Sequence, residues 1–367
     1  MTRVGAEAVS LSSAAKAAAG RGWRQQLTHY SARFLRYGMI AVFVAMVVVT
    51  AILDSTFLDR DNLLNLTLEW APVGLMAIGM TFVIIAGGFD LSVGGTYAGS
   101  ACLCAGMVNW GVPVPLAILA VLGAGIGAGI VNGGIITRLD VNPFVATLGT
   151  GFMLRGLALV TTAATPIIVD ESSFQWIGAG KWGIFPIPAV ILVVALIAFG
   201  FVLARTIFGR SIYAIGGGNE AARLSGLRTD LLRTSTYMLS GFMAALAGVI
   251  IASRLGSGQA NIGENIELDV ITVVVVGGTA LSGGEGAIWR TAVGIGILAV
   301  LGNAFDRLQV DTFWQIVIKG GIIVFAIAAD SFAKKRAEAA RRIERDDLLR
   351  RTGSASPDAA ASGGSQG

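Results

Sequence analysis

The stretch GRSIYAIGGGNEAARLSGLR, residues 209–228, decides how this chain is read, because it is one of the few long polar interruptions between apolar runs. Runs at about 190–204 and 235–252 flank it, each near the length of a bilayer crossing, which takes about 20 residues. Arg205, Arg210, Arg223, Arg228 and Arg233 lie in or beside it, against only Glu220 and Asp230. A basic loop between two spans belongs on the cytoplasmic side. Within it, Asn219 is expected to cap a short helix carrying Glu220, Ala221, Ala222, Arg223 and Leu224, with Ser225 and the stop residue Gly226 behind. That helix has two readings, a docking knob for another protein or a solvated loop with a chance cap.

Composition agrees with a membrane setting. Of 367 residues, 54% are apolar and 14% charged, and the mean hydropathy is +0.73. Soluble domains carry about 25% charged residues, so the chain reads as an integral membrane protein. Fifty glycines against eight prolines point to close helix packing in lipid. The net charge of +4 sits mostly in tails and short loops, where it orients the protein in the membrane lipid rather than marking a nucleic-acid partner. Cys102 and Cys104 face different sides of one apolar helix, so neither a disulfide nor a metal is expected. His29, the only histidine, lies in the N-terminal tail, which removes histidine-based catalysis and metal binding. No phosphate-cradling loop is present, since GAGKWG at 178–183 lacks both the spacing and the hydroxyl. The chain therefore reads as no enzyme, with no cofactor and no metal.

The expected fold class is all-α, a polytopic transmembrane helical bundle of about ten spans. They fall at 37–53, 70–87, 92–109, 115–137, 144–163, 187–204, 234–253, 269–282, 287–304 and 312–329. Residues 1–36 form a basic N-terminal tail, 37–330 the membrane domain with its cytoplasmic loop at 205–233, and 331–367 a charged and then disordered C-terminal tail. Ten spans put both termini inside, and the basic loops agree. The eighth run is short and ends in glycines, as helices do where they break around a translocation path. Two pairs of strings suggest two related halves. GGFDLSVG at 87–94 and GGTALSGG at 277–284 share GGxxLSxG, and RLDVNPF at 138–144 and RLQVDTF at 307–313 share RLxVxxF. Their offsets differ, and both glycine copies fall on the cytoplasmic side, so the boundary of the repeat is left open.

Charged residues inside apolar runs are costly and point to function. Asp90 has two readings, a group on the path or an acceptor that shapes the turn before a helix capped by Ser92. Asn142, Pro143 and Phe144 open the fifth span. Arg155, about mid-depth, bonds a solute, pairs with a carboxylate such as Asp90 or Glu285, or snorkels. Lys319 poses the same choice. Gly123, Gly125, Gly127, Gly129 and Gly133 read as helix packing, and Trp70, Trp110, Trp176, Trp182 and Trp314 as interfacial belts.

AGGFDLSVG, NPFVATLGTGFMLRGLAL, FGRSIYAIGGGNEAARLSGL, ELDVITVVVVGGTALSGGEGAIWRTAVG and DTFWQIVIKGGIIVFAI occur in order from about 70 to 329. Together they resemble the membrane permease subunits of bacterial ABC sugar importers of the ribose, xylose and galactose type. The resemblance implies a homodimer of permeases in the bacterial inner membrane. Two copies of a cytoplasmic ATP-binding subunit would do the hydrolysis, and a periplasmic or lipid-anchored binding protein would deliver a monosaccharide or polyol. It makes Asn219 to Gly226 the coupling helix and places Asp90, Asn142, Phe144 and Arg155 near the path. Glu285 and Lys319 join them as path candidates from their positions. Phe89, Ala280, Glu285 and the long basic tail depart from the common pattern and leave the substrate open, since related permeases carry nucleosides, polyols or branched-chain amino acids. The competing readings are a transporter working alone on an ion gradient and an intramembrane enzyme, for which no nucleophile and base are present.

Overall fold

A computed structural model of the chain describes residues 38–325, 327, 328 and 332. The expected tails, 1–36 and all of 331–367 except Phe332, lie outside the described residues. The chain divides into a unit up to Gln315 and a second from Ile316.

A helix stands over each of the ten apolar runs. They are α1 (Gly38–Leu53), α2 (Arg60–Ile85), α3 (Val93–Asn109), α4 (Val114–Arg138) and α5 (Pro143–Thr162), with the short α6 (Ser172–Ala179) after them. Then come α7 (Ile187–Arg205), α8 (Ile207–Gly217), α9 (Asn219–Leu224), α10 (Thr229–Leu255), α11 (Ile266–Val276), α12 (Ile288–Arg307) and α13 (Thr312–Phe325). Of these, α2, α4, α5, α7, α10 and α12 are long and apolar enough to cross a membrane. Two helices differ most in extent from the runs beneath them. α2 starts at Arg60 rather than 70, since the polar stretch RDNLLNLTLE keeps strong helix formers. α11 stops at Val276 because Gly278 takes φ +83° and its neighbours close the helix end.

The core is built on α2 and α10. From Trp70 to Ile85 nearly every α2 residue is buried, and α7, α10, α11 and α12 surround it. α10 packs in turn on α3, α4 and α6. By contrast α4, α5 and α7 leave rows of large apolar side chains uncovered, among them Leu119, Phe152, Val160, Ile197 and Phe201. Apolar faces of that extent suit hydrocarbon rather than water.

Small residues set the closest helix pair. At Gly125, Gly129 and Gly133 of α4 an added Cβ would run into α10 at Gly241, Met238 and Thr234. Gly123 and Gly127 of the same run have nothing near them. The packing stripe is thus narrower than the five glycines read from sequence. Trp70 also departs from the expected belt. It is buried in α2 with its ring against Gly302, whereas Trp110, Trp176, Trp182 and Trp314 are exposed.

The two repeat strings behave differently. RLxVxxF folds alike in both copies: Asp140 and Gln309 take φ 52° and 53°, and Asn142 and Asp311 accept from the amides of Phe144 and Phe313 at 2.9 and 2.8 Å. GGxxLSxG does not keep register. The left-handed residue that ends the preceding helix is Gly87 in one string and Gly278, one position later, in the other.

The turn after α1 is clamped to the end of α12. Arg307 Nη1 donates to Asp54 Oδ2 at 2.6 Å and also bonds Thr56, while its Nε donates to Asn62. Asn62 and Asn303 exchange hydrogen bonds of 3.0 and 3.1 Å.

Two predictions come from this packing. Gly125→Leu should lower the thermal midpoint of the purified protein in detergent, by the equivalent of about 1–3 kcal/mol or more, whereas Gly127→Leu should leave it near the parent value. The second concerns the clamp, where Arg307 holds the Asp54 carboxyl down to about 2 from an ordinary 3.8. Folding favours the charged form, so this stabilisation is complete above the ordinary value and disappears as the pH falls through the lowered one. Asp54→Asn should therefore lower the midpoint at pH 7, with the gap from the parent protein closing below the ordinary carboxylate value.

Candidate functional site

The 205–228 stretch forms two helices rather than one loop. Thr206 caps α8, accepting from the Gly209 amide at 3.2 Å and donating to Val202. The glycine run 216–218 then turns the chain into α9. Asn219 is the first residue of α9 and not its cap. The cap position belongs to Gly218, and no side chain bonds the free amides there. Gly226 does end the motif, with φ +85° and hydrogen bonds Gly226 N to Arg223 O and Leu227 N to Ala222 O. Ala222 is buried. Asn219, Glu220, Ala221, Arg223, Leu224, Ser225 and Gly226 are exposed, and Leu224 is 80% exposed. Leu224 is thus a bare leucine on α9, and Arg205, Arg210, Arg223 and Arg228, in or beside the stretch, are exposed as well.

α8 is tied to the bundle through glycine. Tyr213 donates to the Gly286 carbonyl at 2.7 Å. Gly216 lies so near the Ile85 carbonyl and the Gly284 amide that no side chain fits. The Gly284 amide donates to Ile85 O at 2.9 Å, and Gly283 sits against Gly87 and the Gly216 carbonyl. The end of α2, the 277–287 loop and the end of α8 thus meet backbone to backbone. Glu285 is exposed on that loop, and its carbonyl accepts from Ala280.

From this joint the chain runs through 88–92 as non-helical backbone to the start of α3. An added Cβ on Gly95, near that start, would overlap Gly151, about halfway along α5. α3 therefore begins deep in the bundle, as broken helices do. Its approach is held by a buried polar knot. Asp90 Oδ1 accepts from the Ser92 amide at 3.0 Å and hydroxyl at 2.5 Å, so Ser92 does not cap α3 with its side chain. Asn132 of α4 donates to Ser92 Oγ at 2.7 Å and accepts from Thr150 at 2.6 Å, and Thr147 accepts from the Leu91 amide at 3.0 Å. Asp90 is fully buried, and the Ser240 hydroxyl lies beside its carboxylate. Asp90 Oδ1 is thus an acceptor within this knot.

Arg155 reaches neither Asp90 nor Glu285. Its Nη2 donates to the Gly263 carbonyl at 2.9 Å, in the turn before α11. Beside it lies Glu267, in the first turn of α11, which the sequence reading missed. The Glu267 carboxylate occupies the space a Cβ on Gly94 would need, and Arg155 Nη2 lies 3.5 Å from that position. The starts of α3 and α11, with α5 between them, meet at this point. Asn142 caps α5 and is exposed, as is Phe144 at 52%. Lys319 lies partly buried in α13, in the second unit. Among the described residues no cluster of acidic, histidine or cysteine side chains could hold a metal, and both cysteines are free.

Residues 62–327 match the family described as branched-chain amino acid transport system / permease component, and the chain belongs to it. Among curated proteins it is 43% identical to the ribose import permease protein RbsC of Bacillus subtilis (strain 168), across 83% of this chain and 96% of that one. The ribose import permease protein RbsC of Escherichia coli (strain K12) is 36% identical, across 80% and 92%. The L-arabinose transport system permease protein AraH of the same strain is also 36% identical, across 82% and 92%. No solved structure matches the chain.

Proposed function

We propose that this chain is the membrane permease of an ATP-driven, binding-protein-dependent importer of a monosaccharide or related polyol, with no catalysis of its own. The observation that carries this is the match, across more than nine-tenths of their length, to permeases named for ribose and arabinose. The family description names branched-chain amino acids. The sugar-named relatives at 36–43% identity weigh more for substrate class.

In this reading the permease is a homodimer in the bacterial inner membrane, with ten spans in two related halves and both termini inside. α9 is the coupling helix. Leu224 fits an apolar pocket of the cytoplasmic ATP-binding subunit, and the exposed arginines around it fit an acidic rim. Closure of that subunit pushes α9 and α8, and through Gly216 and Tyr213 the push reaches the 277–287 loop and the end of α2. A periplasmic or lipid-anchored binding protein presents the sugar at the opposite face, and the path runs where α3, α5 and α11 meet.

Uptake of labelled pentoses, hexoses and polyols into proteoliposomes tests this, with ATP, the ATP-binding subunit and the binding protein each left out in turn. Uptake that needs all three is expected. Glu220→Ala with Arg223→Ala should cut uptake at least about tenfold while sugar affinity of the binding protein stays unchanged. Uptake by the chain alone on a proton or sodium gradient would overturn the proposal.

A further inference from the structure

The meeting point of α3, α5 and α11 holds two opposite charges that do not pair. No hydrogen bond or ion pair joins Arg155 and Glu267, though the two side chains flank Gly94 and the carboxylate feels the guanidinium charge. Among the described residues Arg155 donates to Gly263 O, and no side chain or amide of another residue is bonded to the Glu267 carboxylate. Both residues are partly exposed rather than sealed in. Charged groups at such depth are tolerated where they line a wet cavity or meet a polar solute.

Glycine lets these groups come close to the start of α3. A side chain on Gly94 would collide with the Glu267 carboxylate. One on Gly263, at φ +63°, would strike the Tyr97 ring at 2.7 Å. A carboxylate beside a guanidinium presents strong acceptors and donors together, which suits adjacent hydroxyls on an uncharged ring and suits an ionised solute less well.

We propose that Glu267 and Arg155 form the sugar-contacting constriction of the path, Glu267 accepting from ring hydroxyls and Arg155 donating to hydroxyl or ring oxygens. This rests on the importer reading above and names the contact residues within it.

The test uses the full chain reconstituted with the ATP-binding subunit and binding protein, with D-ribose and L-arabinose as probes. Glu267→Gln should lower uptake at least about tenfold while ATP hydrolysis stimulated by loaded binding protein stays within about twofold of the parent. Separately, Glu267→Cys, in a background with Cys102→Ala and Cys104→Ala, should react with a membrane-impermeant thiol reagent, and millimolar sugar should slow the labelling. Unchanged uptake in Glu267→Gln, or labelling indifferent to both sugars, overturns the proposal. Parallel loss of uptake and hydrolysis also overturns it, by making Glu267 structural. The labelling needs no partner subunit, so failure of the importer reading is told apart by parent uptake that ignores ATP.

Discussion

Backbone amides and carbonyls buried in a membrane protein need partners, and this constraint governs where the helices break. α2 ends at Ile85 and α11 at Val276, and the chain beyond each is not helical. The freed groups find each other: the Ile85 carbonyl accepts from the Gly284 amide, and Gly87, Gly216 and Gly283 allow three backbones to touch. Further in, the side chains of Asp90 and Thr147 take the amides of Ser92 and Leu91 where the chain approaches α3. Breaks satisfied this way leave α3 starting deep in the bundle, where Gly94 lies beside Glu267.

In the proposed importer the same glycine joint would give the stretch around α9 its leverage. α9 touches the bundle weakly, mainly through buried Ala222 and the neighbouring helices, so its own contacts could not carry much force. α8 is fixed at Tyr213 and Gly216 to the loop that abuts the end of α2. A displacement of α9 in the proposed importer therefore arrives at α2, the most buried helix of the core, without crossing a flexible side chain. The close α4–α10 contact at Gly125, Gly129 and Gly133 keeps the neighbouring pair rigid while this happens.

Much of the helix order was legible because apolar runs of this length have few other uses, and a helix stands at each. Coarse features of the coupling stretch were also legible, since Gly226 and the arginines announce a stop and a surface. Details that depend on three-dimensional partners were not. Asn219 has the composition of a cap, yet Gly218 takes the position. Ser92 resembles a cap but is claimed by Asp90 and Asn132. Of the readings open to Arg155, pairing with Asp90 or Glu285 rests on charge alone, whereas the fold supplies a carbonyl and brings Glu267 from more than a hundred residues away. The signal for Glu267 was present: a glutamate just before the valine run of α11 is as anomalous as Arg155 in α5. The glycine strings at 87 and 277 looked aligned, but helix ends are set by local hydrogen bonding, and these fall one residue out of register.

In the proposed importer, force passes from α9 into the core through a joint with no room for a side chain. Gly216 and Gly217 allow a matched comparison, because a methyl on Gly216 meets Ile85 O and Gly284 N whereas one on Gly217 meets nothing within 4 Å. The measurement is sugar imported per ATP hydrolysed in proteoliposomes holding the complete transporter. The account predicts a collapse of that ratio for Gly216→Ala and a parent-like ratio for Gly217→Ala. Equal ratios in the two variants would contradict it.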